Sequence, residues 1–85
     1  MTRPRPLEVK LYSRSYCHLC DELLAALEPW RSAAHVAITV IDVDAEPALE
    51  ARYGERVPVL AWEGGEICHY VLDSARLNEV LALVG

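Results

Sequence analysis

Two cysteines with two residues between them, Cys17-His18-Leu19-Cys20, are the side chains of this sequence best suited to chemistry. They follow a run of strand-like alternation at residues 8–13 and open an apolar stretch with helical spacing. If Cys17 lies just before the first turn of that helix, unpaired backbone N–H groups and the positive end of the helix dipole stabilise its thiolate. Cys20, three residues on, lies within closing distance. The motif therefore predicts a redox-active pair of thiols.

A structural zinc site is the main alternative for the same motif, and it would need a second pair of ligands. Cys68 and His69 are the nominal candidates. They are adjacent in a predicted strand, where neighbouring side chains point to opposite faces, so both reach one tetrahedral ion only if the strand is distorted. We therefore predict no metal site, and we expect Cys68 to pack as a small hydrophobic residue.

The pattern of apolar residues predicts the elements that position the two cysteines. Strands are expected at residues 8–13, 37–43, 57–62 and 66–71, the second of them buried. One helix begins at the cysteines and ends or bends at Pro29, a second runs from a cap at Asp44 to a left-handed stop at Gly54, and a third is capped by Asp73. The order β-α-β-α-β-β-α predicts an α/β fold, with a mixed four-stranded sheet flanked by three helices.

Composition limits the class of protein. The 85 residues, 53% of them hydrophobic, predict one packed domain at residues 7–85 behind a flexible, proline-interrupted tail at residues 1–6. The net charge of −5 and the single lysine argue against a nucleic-acid surface, because phosphate binding draws on clustered Lys and Arg. No apolar stretch is as long as a membrane span, and three cysteines are an odd number for a secreted disulfide scaffold. We expect a monomer in the reducing cytoplasm.

Several features, in this order along the chain, resemble the glutaredoxin-like family of the thioredoxin superfamily. They are the CxxC motif after the first strand, Val57-Pro58 about forty residues later, a Gly64-Gly65 hairpin turn and a final capped helix. The resemblance spans nearly the whole chain beyond the tail, and it implies a thioredoxin fold. It also implies that the Val57–Pro58 peptide bond is cis and faces the two cysteines, an isomer that costs little before proline.

The same resemblance implies a role for each site residue. Cys17 matches the exposed nucleophile, and Cys20 matches the thiol that resolves the mixed disulfide. The other matched positions would bind substrate or tune the nucleophile. Arg14 would be a cation that favours the thiolate, and Tyr16 and His18 would be neighbours of the reactive sulfur. Val57 and Pro58 would offer a backbone edge to a bound peptide or thiol, and Asp73 would cap the last helix.

The activity that the resemblance implies is thiol–disulfide exchange in cell redox homeostasis. The substrates would be protein disulfides or mixed disulfides with glutathione, and no metal or nucleotide would be required. Electrons would come from glutathione or from a thioredoxin-type reductase. A redox-inert interaction domain with the same fold is the third alternative, beside the enzyme and the small zinc or iron–sulfur module.

Two departures from the family pattern bear on glutathione. His18 and Leu19 stand where the family commonly has Pro and Tyr, and His18 puts a titrating group beside the nucleophile. Glutathione-binding members carry a Gly-Gly pair before the capping acid, whereas residues 68–72 here are bulky and contain no glycine. Arg52 or Arg56 is a candidate partner for a glutathione carboxylate. Use of glutathione is therefore left open by the sequence.

Overall fold

β1 (Leu7–Ser13) is a central strand of one four-stranded sheet in the computed structural model, which describes residues 6–84. The strand order is β2-β1-β3-β4, with β2 at Val36–Asp42, β3 at Val59–Trp62 and β4 at Gly65–His69. β1 runs parallel to β2 and antiparallel to β3, and β3 runs antiparallel to β4. The predicted mixed sheet of an α/β fold is confirmed.

The helices differ in number from the prediction. Residues 6–84 form α1 (His18–Ala26), α2 (Glu28–Ser32), α3 (Pro47–Tyr53), α4 (Ser74–Val84) and a short 3-10 helix at Val43–Ala45. The expected first helix is divided, so the expectation of three helices is wrong by one. Leu27 closes α1 by donating its N–H to the carbonyls of Leu23 and Leu24, and Pro29 lies in the first turn of α2, where a helix needs no N–H.

Different helices cover the two faces of the sheet. On one face, α1 and α4 bury a main core whose members include Val9, Leu11, Leu23, Leu27, Val36, Leu60, Ile67, Leu77, Val80 and Leu81. On the other face, a smaller cluster of Val43, Tyr53 and Val59 lies under α3, and the rings of Tyr12 and Tyr53 stack with centroids 4.0 Å apart. The alternation of side chains along β1 separates the two cores. The packing of α1 against the main core holds the start of this helix beside the sheet.

One end of each of the four strands lies on the same side of the sheet, across the strand direction, and this side is here called the dithiol edge. Its position follows from the register, which pairs Ser13 with Asp42, Tyr12 with Val59 and Val59 with His69. β1, β2 and β4 therefore end at this edge, and β3 begins there. The loop that leaves β1 toward α1, and the loop that enters β3, are consequently neighbours.

Two predicted details of the strands need correction. The strands are displaced by one or two residues from the predicted ranges, with β2 beginning at Val36 and β3 only at Val59. β2 is also not fully buried, because it is an edge strand, and the side chain of Val40 is 52% exposed. A continuous apolar run does not distinguish a central strand from an edge strand.

The predicted cap of α3 is wrong, whereas its predicted stop at Gly54 is right in position and wrong only in backbone conformation. The carboxylate of Asp42, rather than Asp44, caps the turn after β2 by accepting the Asp44 N–H at 2.9 Å, and α3 begins later, behind Glu46. Gly54 has right-handed backbone angles, φ −52° and ψ −35°. Glycine is needed there for space, because a Cβ would lie 2.6 Å from the backbone carbonyl oxygen of Glu50.

Part of the predicted organisation falls beyond the described range. Residues 1–5 of the predicted tail, and Gly85 at the end of the predicted domain, lie outside the described residues. Between residues 6 and 84, no helix has the length and apolar content that a bilayer crossing requires.

Replacing Asp73 tests the cap of α4. The Asp73 carboxylate accepts the backbone N–H of Arg76 at 3.0 Å, as predicted for a capping acid. We expect Asp73→Ala to lower the free energy of unfolding by about 1 kcal/mol, which corresponds to a fall in Tm of about 4–8 °C in a domain of this size. Asp73→Asn, which can still cap, and Glu79→Ala, on the exposed side of α4, are the controls. Equal Tm values for Asp73→Ala and Glu79→Ala would contradict this assignment.

Candidate active site

Cys17 and Cys20 are joined as a disulfide at the start of α1, with their Cα atoms 5.2 Å apart. The two sulfurs differ in access. Cys17 is partly exposed, whereas Cys20 is buried, with 5% of its surface accessible. A substrate can therefore reach the first sulfur from solvent, and the second can be reached only from within the protein.

The sulfur of Cys17 caps α1. Cys17 has an extended backbone, φ −107° and ψ 106°, and its Sγ accepts the backbone N–H of Cys20 at 3.1 Å. The Cys17 carbonyl accepts the N–H of Asp21 at 3.2 Å, which begins the helix. A thiolate at this position would accept a donor that the helix start leaves unpaired, at the positive end of the dipole. Such an environment lowers the pKa of a cysteine below its ordinary value.

Tyr16 and His18 stand on either side of Cys17 and are both exposed. Tyr16 has a left-handed backbone, φ 59°, which reverses the chain between β1 and α1 and leaves its side chain entirely in solvent. His18 is the first residue of α1, and Leu19 beside it is 40% exposed. Three exposed side chains therefore lie next to Cys17 along the chain.

Val57 and Pro58 enter the dithiol edge just before β3, and their peptide bond is cis. Pro58 is fully buried, and its carbonyl accepts the N–H of Tyr70 at 2.9 Å. The Val57 side chain packs against the small core under α3. Among residues 6–84, no hydrogen bond uses the N–H or the carbonyl of Val57. Within residues 6–84, the Val57 N–H and carbonyl are therefore an unpaired backbone pair next to the end of β1.

The Arg14 side chain is 34% exposed and contacts two acidic side chains. Its Nη2 lies 3.1 Å from Asp44 and 3.6 Å from Glu50. Its Nε is buried and has no hydrogen-bond partner within residues 6–84. The charge that was expected to favour the thiolate is thus shared with two carboxylates, and its effect on Cys17 stays a prediction.

A model described as Glutaredoxin-like domain (DUF836) matches residues 8–82. The chain belongs to this glutaredoxin-like family. The glutaredoxin-like protein is also 31% identical to uncharacterised proteins of Mycobacterium tuberculosis (strain H37Rv) and Mycobacterium bovis over 87 residues, which cover 96% of this chain and 87% of theirs.

Solved structures agree with the family in fold. A solution NMR structure of a Nitrosomonas europaea protein matches with a TM-score of 0.82 and 33% identity, covering 94% of this chain and 96% of that one. An X-ray structure of an X. campestris protein matches at 0.70 and 36%, covering 91% and 99%. A mutant thioredoxin from Halobacterium salinarum matches at 0.62 and 25%, covering 94% and 75%. The thioredoxin fold that the sequence resemblance implied is confirmed.

Cys68 and His69, the nominal metal ligands, lie apart in the glutaredoxin-like protein. Cys68 is half-buried, pairs with Leu60 and packs against the main core. Burial raises the pKa of the Cys68 thiol, and the opposing hydrogen bond from the Asp73 backbone does not cancel that rise. His69 is exposed and lies 2.9 Å from Glu66. Within residues 6–84, no three His, Cys, Asp or Glu side chains are grouped as metal ligands.

Two site residues were missed or misjudged from the sequence. Tyr70, which the sequence analysis did not single out, is 43% exposed at the dithiol edge, and its hydroxyl donates to the carbonyl of Glu55 at 3.1 Å. Arg56 was considered for a glutathione carboxylate, but its guanidinium is paired with Glu66. The only sequence signal was the position of these residues beside Val57-Pro58 and at the end of a predicted strand.

The two kinds of cysteine should differ in alkylation by iodoacetamide after reduction. We expect the Cys17 thiol to react at lower pH than the Cys68 thiol, because the helix start stabilises the Cys17 thiolate and burial raises the pKa of Cys68. Mass spectrometry of peptides after timed alkylation across pH 4–9 measures both curves in one sample. Coincident curves for the two cysteines, or a later onset for Cys17, would contradict the assigned environment.

Proposed function

We propose that this protein is a thiol–disulfide oxidoreductase that reduces disulfides of polypeptides, or their mixed disulfides with glutathione, through Cys17 and Cys20. One observation carries the proposal: an accessible sulfur caps a helix start, and a buried partner sulfur one turn later is bonded to it. This asymmetry suits a nucleophile and a resolving thiol. Membership of the glutaredoxin-like family supports the same assignment.

The proposed reaction consists of two exchanges. The Cys17 thiolate attacks one sulfur of the substrate disulfide, so that a Cys17–substrate bond forms, the substrate bond breaks and one substrate sulfur leaves as a thiolate. Cys20 then attacks Cys17, loses its proton to solvent and expels the second substrate thiolate. The substrate gains two electrons and, at neutral pH, its thiolates take up protons. The protein is left as the Cys17–Cys20 disulfide.

Substrate contacts in the proposal come from the dithiol edge. The free N–H and carbonyl of Val57 would pair with an extended backbone beside the substrate cysteine. Tyr16 and Leu19 would contact its side chains, since both are exposed beside Cys17. These features favour substrates with a peptide backbone beside the disulfide over small disulfides that have none.

We further propose that electrons arrive from a dithiol reductase rather than from glutathione. The segment that precedes α4 has no glycine, and Val71 in it is 64% exposed and projects from the surface. The Asp73 carboxylate is already engaged by the N–H of Arg76. The reaction itself uses thiols alone, and a monomer in the reducing cytoplasm would suffice for it.

Cysteine variants test the chemistry directly. We expect Cys17→Ser to abolish reduction of a peptide disulfide, because the attacking sulfur is lost. Cys20→Ser should accumulate a mixed disulfide with the substrate, which mass spectrometry detects, because nothing resolves it. Cys68→Ser is the matched control, and it should keep the wild-type rate. Full activity in Cys17→Ser, or loss of activity in Cys68→Ser alone, would sink the assignment.

The source of electrons is tested with the oxidised protein. We expect a thioredoxin reductase with NADPH to reduce the Cys17–Cys20 disulfide faster than glutathione with glutathione reductase does, because no glycine opens the backbone before α4. NADPH oxidation measures both rates, and Cys17→Ser provides the background. A faster rate with glutathione would overturn the choice of donor while leaving the exchange chemistry intact.

A further inference from the structure

The short segment that carries Val57 is held at both ends by the end of β4. On one side of Val57, the Tyr70 hydroxyl donates to the carbonyl of Glu55 at 3.1 Å, and on the other side the Tyr70 N–H donates to the carbonyl of Pro58 at 2.9 Å. One residue therefore spans the whole segment. Between these two fixed carbonyls, the backbone of Val57 has no hydrogen bond within residues 6–84.

Ionic contacts between side chains also hold this segment. The Arg56 Nη1 lies 2.5 Å from one carboxylate oxygen of Glu66, and His69 Nδ1 lies 2.9 Å from the other. A carboxylate only accepts, so this contact is a hydrogen bond in the His69 tautomer that has its proton on Nδ1. Burial alone would raise the pKa of Glu66, but hydrogen bonds from Arg56 and His69 outweigh burial and lower that pKa. Glu66 is thus held ionised between its two partners.

An irregularity of β4 makes this arrangement possible. Leu60 pairs with Cys68, but the next pair is Ala61 with Glu66, so Ile67 is an extra residue in the ladder. In a regular strand Glu66 and His69, three residues apart, would point to opposite faces. The bulge brings both to one face, where Arg56 reaches them from the loop after α3.

We propose that Tyr70, Glu66 and Arg56 are positioning residues that hold the free backbone of Val57 in place for pairing with a substrate polypeptide. None of the three touches the reacting sulfurs. This inference rests on the proposed function, because it needs a disulfide substrate with a peptide backbone. The contacts made by Tyr70, Glu66 and Arg56 should therefore raise the rate of reaction with polypeptide disulfides, and affect much less the rate with disulfides that have no backbone to pair.

The test compares two substrates in single-turnover reactions of the reduced protein. One is a peptide disulfide with several residues on each side of its cysteine, and the other is hydroxyethyl disulfide, which has no peptide backbone. The measured quantity is the ratio of the two second-order rate constants. We expect Tyr70→Phe and Glu66→Gln each to lower this ratio by about two- to tenfold, the effect of one ordinary hydrogen bond. A merely structural role would lower both rates together and leave the ratio unchanged.

Controls separate positioning from folding. Glu79→Gln removes a similar carboxylate, paired with Arg76 on α4, and should leave the ratio at its wild-type value. Arg56→Glu should lower the ratio, and the exchanged pair Arg56→Glu with Glu66→Arg should restore part of it. A ratio that stays at the wild-type value in both Tyr70→Phe and Glu66→Gln overturns the inference.

A second measurement needs no change in the three residues. In the Cys20→Ser protein, trapped as a mixed disulfide with the peptide, we expect hydrogen exchange of the Val57 amide to be slower than in the adduct with the small disulfide. Equal exchange in the two adducts overturns the inference even if the variants fail to fold. Failure of the proposed function gives a distinct result, because the wild-type protein then reacts with neither disulfide. That result would also overturn the inference about the positioning residues.

Discussion

The bond between the Cys17 sulfur and the Cys20 N–H is the interaction on which the proposed chemistry depends. In most helices an oxygen of Ser, Thr or Asp occupies the capping position, and a sulfur there accepts the same orphan donor. A negative sulfur accepts it more strongly, so the helix start stabilises the reduced form over the disulfide. By linkage, a thiol pKa lowered by folding adds stability above the pKa of an unfolded cysteine. That stability is lost as the pH falls through the lower folded value.

The sheet determines which backbone faces that sulfur. Because β1 is parallel to β2 and antiparallel to β3, the end of β1 and the start of β3 lie side by side. Tyr12 pairs with Val59, so the cis bond before Val59 falls next to the loop that carries Cys17. Cys20 is buried on α1, three residues before Leu23 of the main core. Accessibility of one cysteine and burial of the other are therefore consequences of topology.

Local signals in the sequence were enough for the elements, the CxxC pair and the capping role of Asp73, because each depends on residues close together in the chain. Pro29 was ambiguous, since proline ends one helix and suits the first turn of the next equally well. The contact of Arg56 with Glu66 was not predictable, because it depends on the bulge at Ile67. Without that extra residue Glu66 would face the other side of the sheet, and alternation alone gives no sign of it.

Holding Val57 from both sides while leaving its backbone free solves a specific problem. Unpaired strand backbone attracts any extended chain, so a long free edge would bind substrate and product alike. Tight binding of the product slows its release, and product release can limit kcat. Here the bonds from Tyr70 occupy the carbonyls of Glu55 and Pro58, which lie on either side of the Val57 backbone that has no hydrogen bond within residues 6–84. A substrate would be aligned against Cys17 by a few hydrogen bonds and released once its disulfide is broken, which is the balance that an exchange enzyme requires.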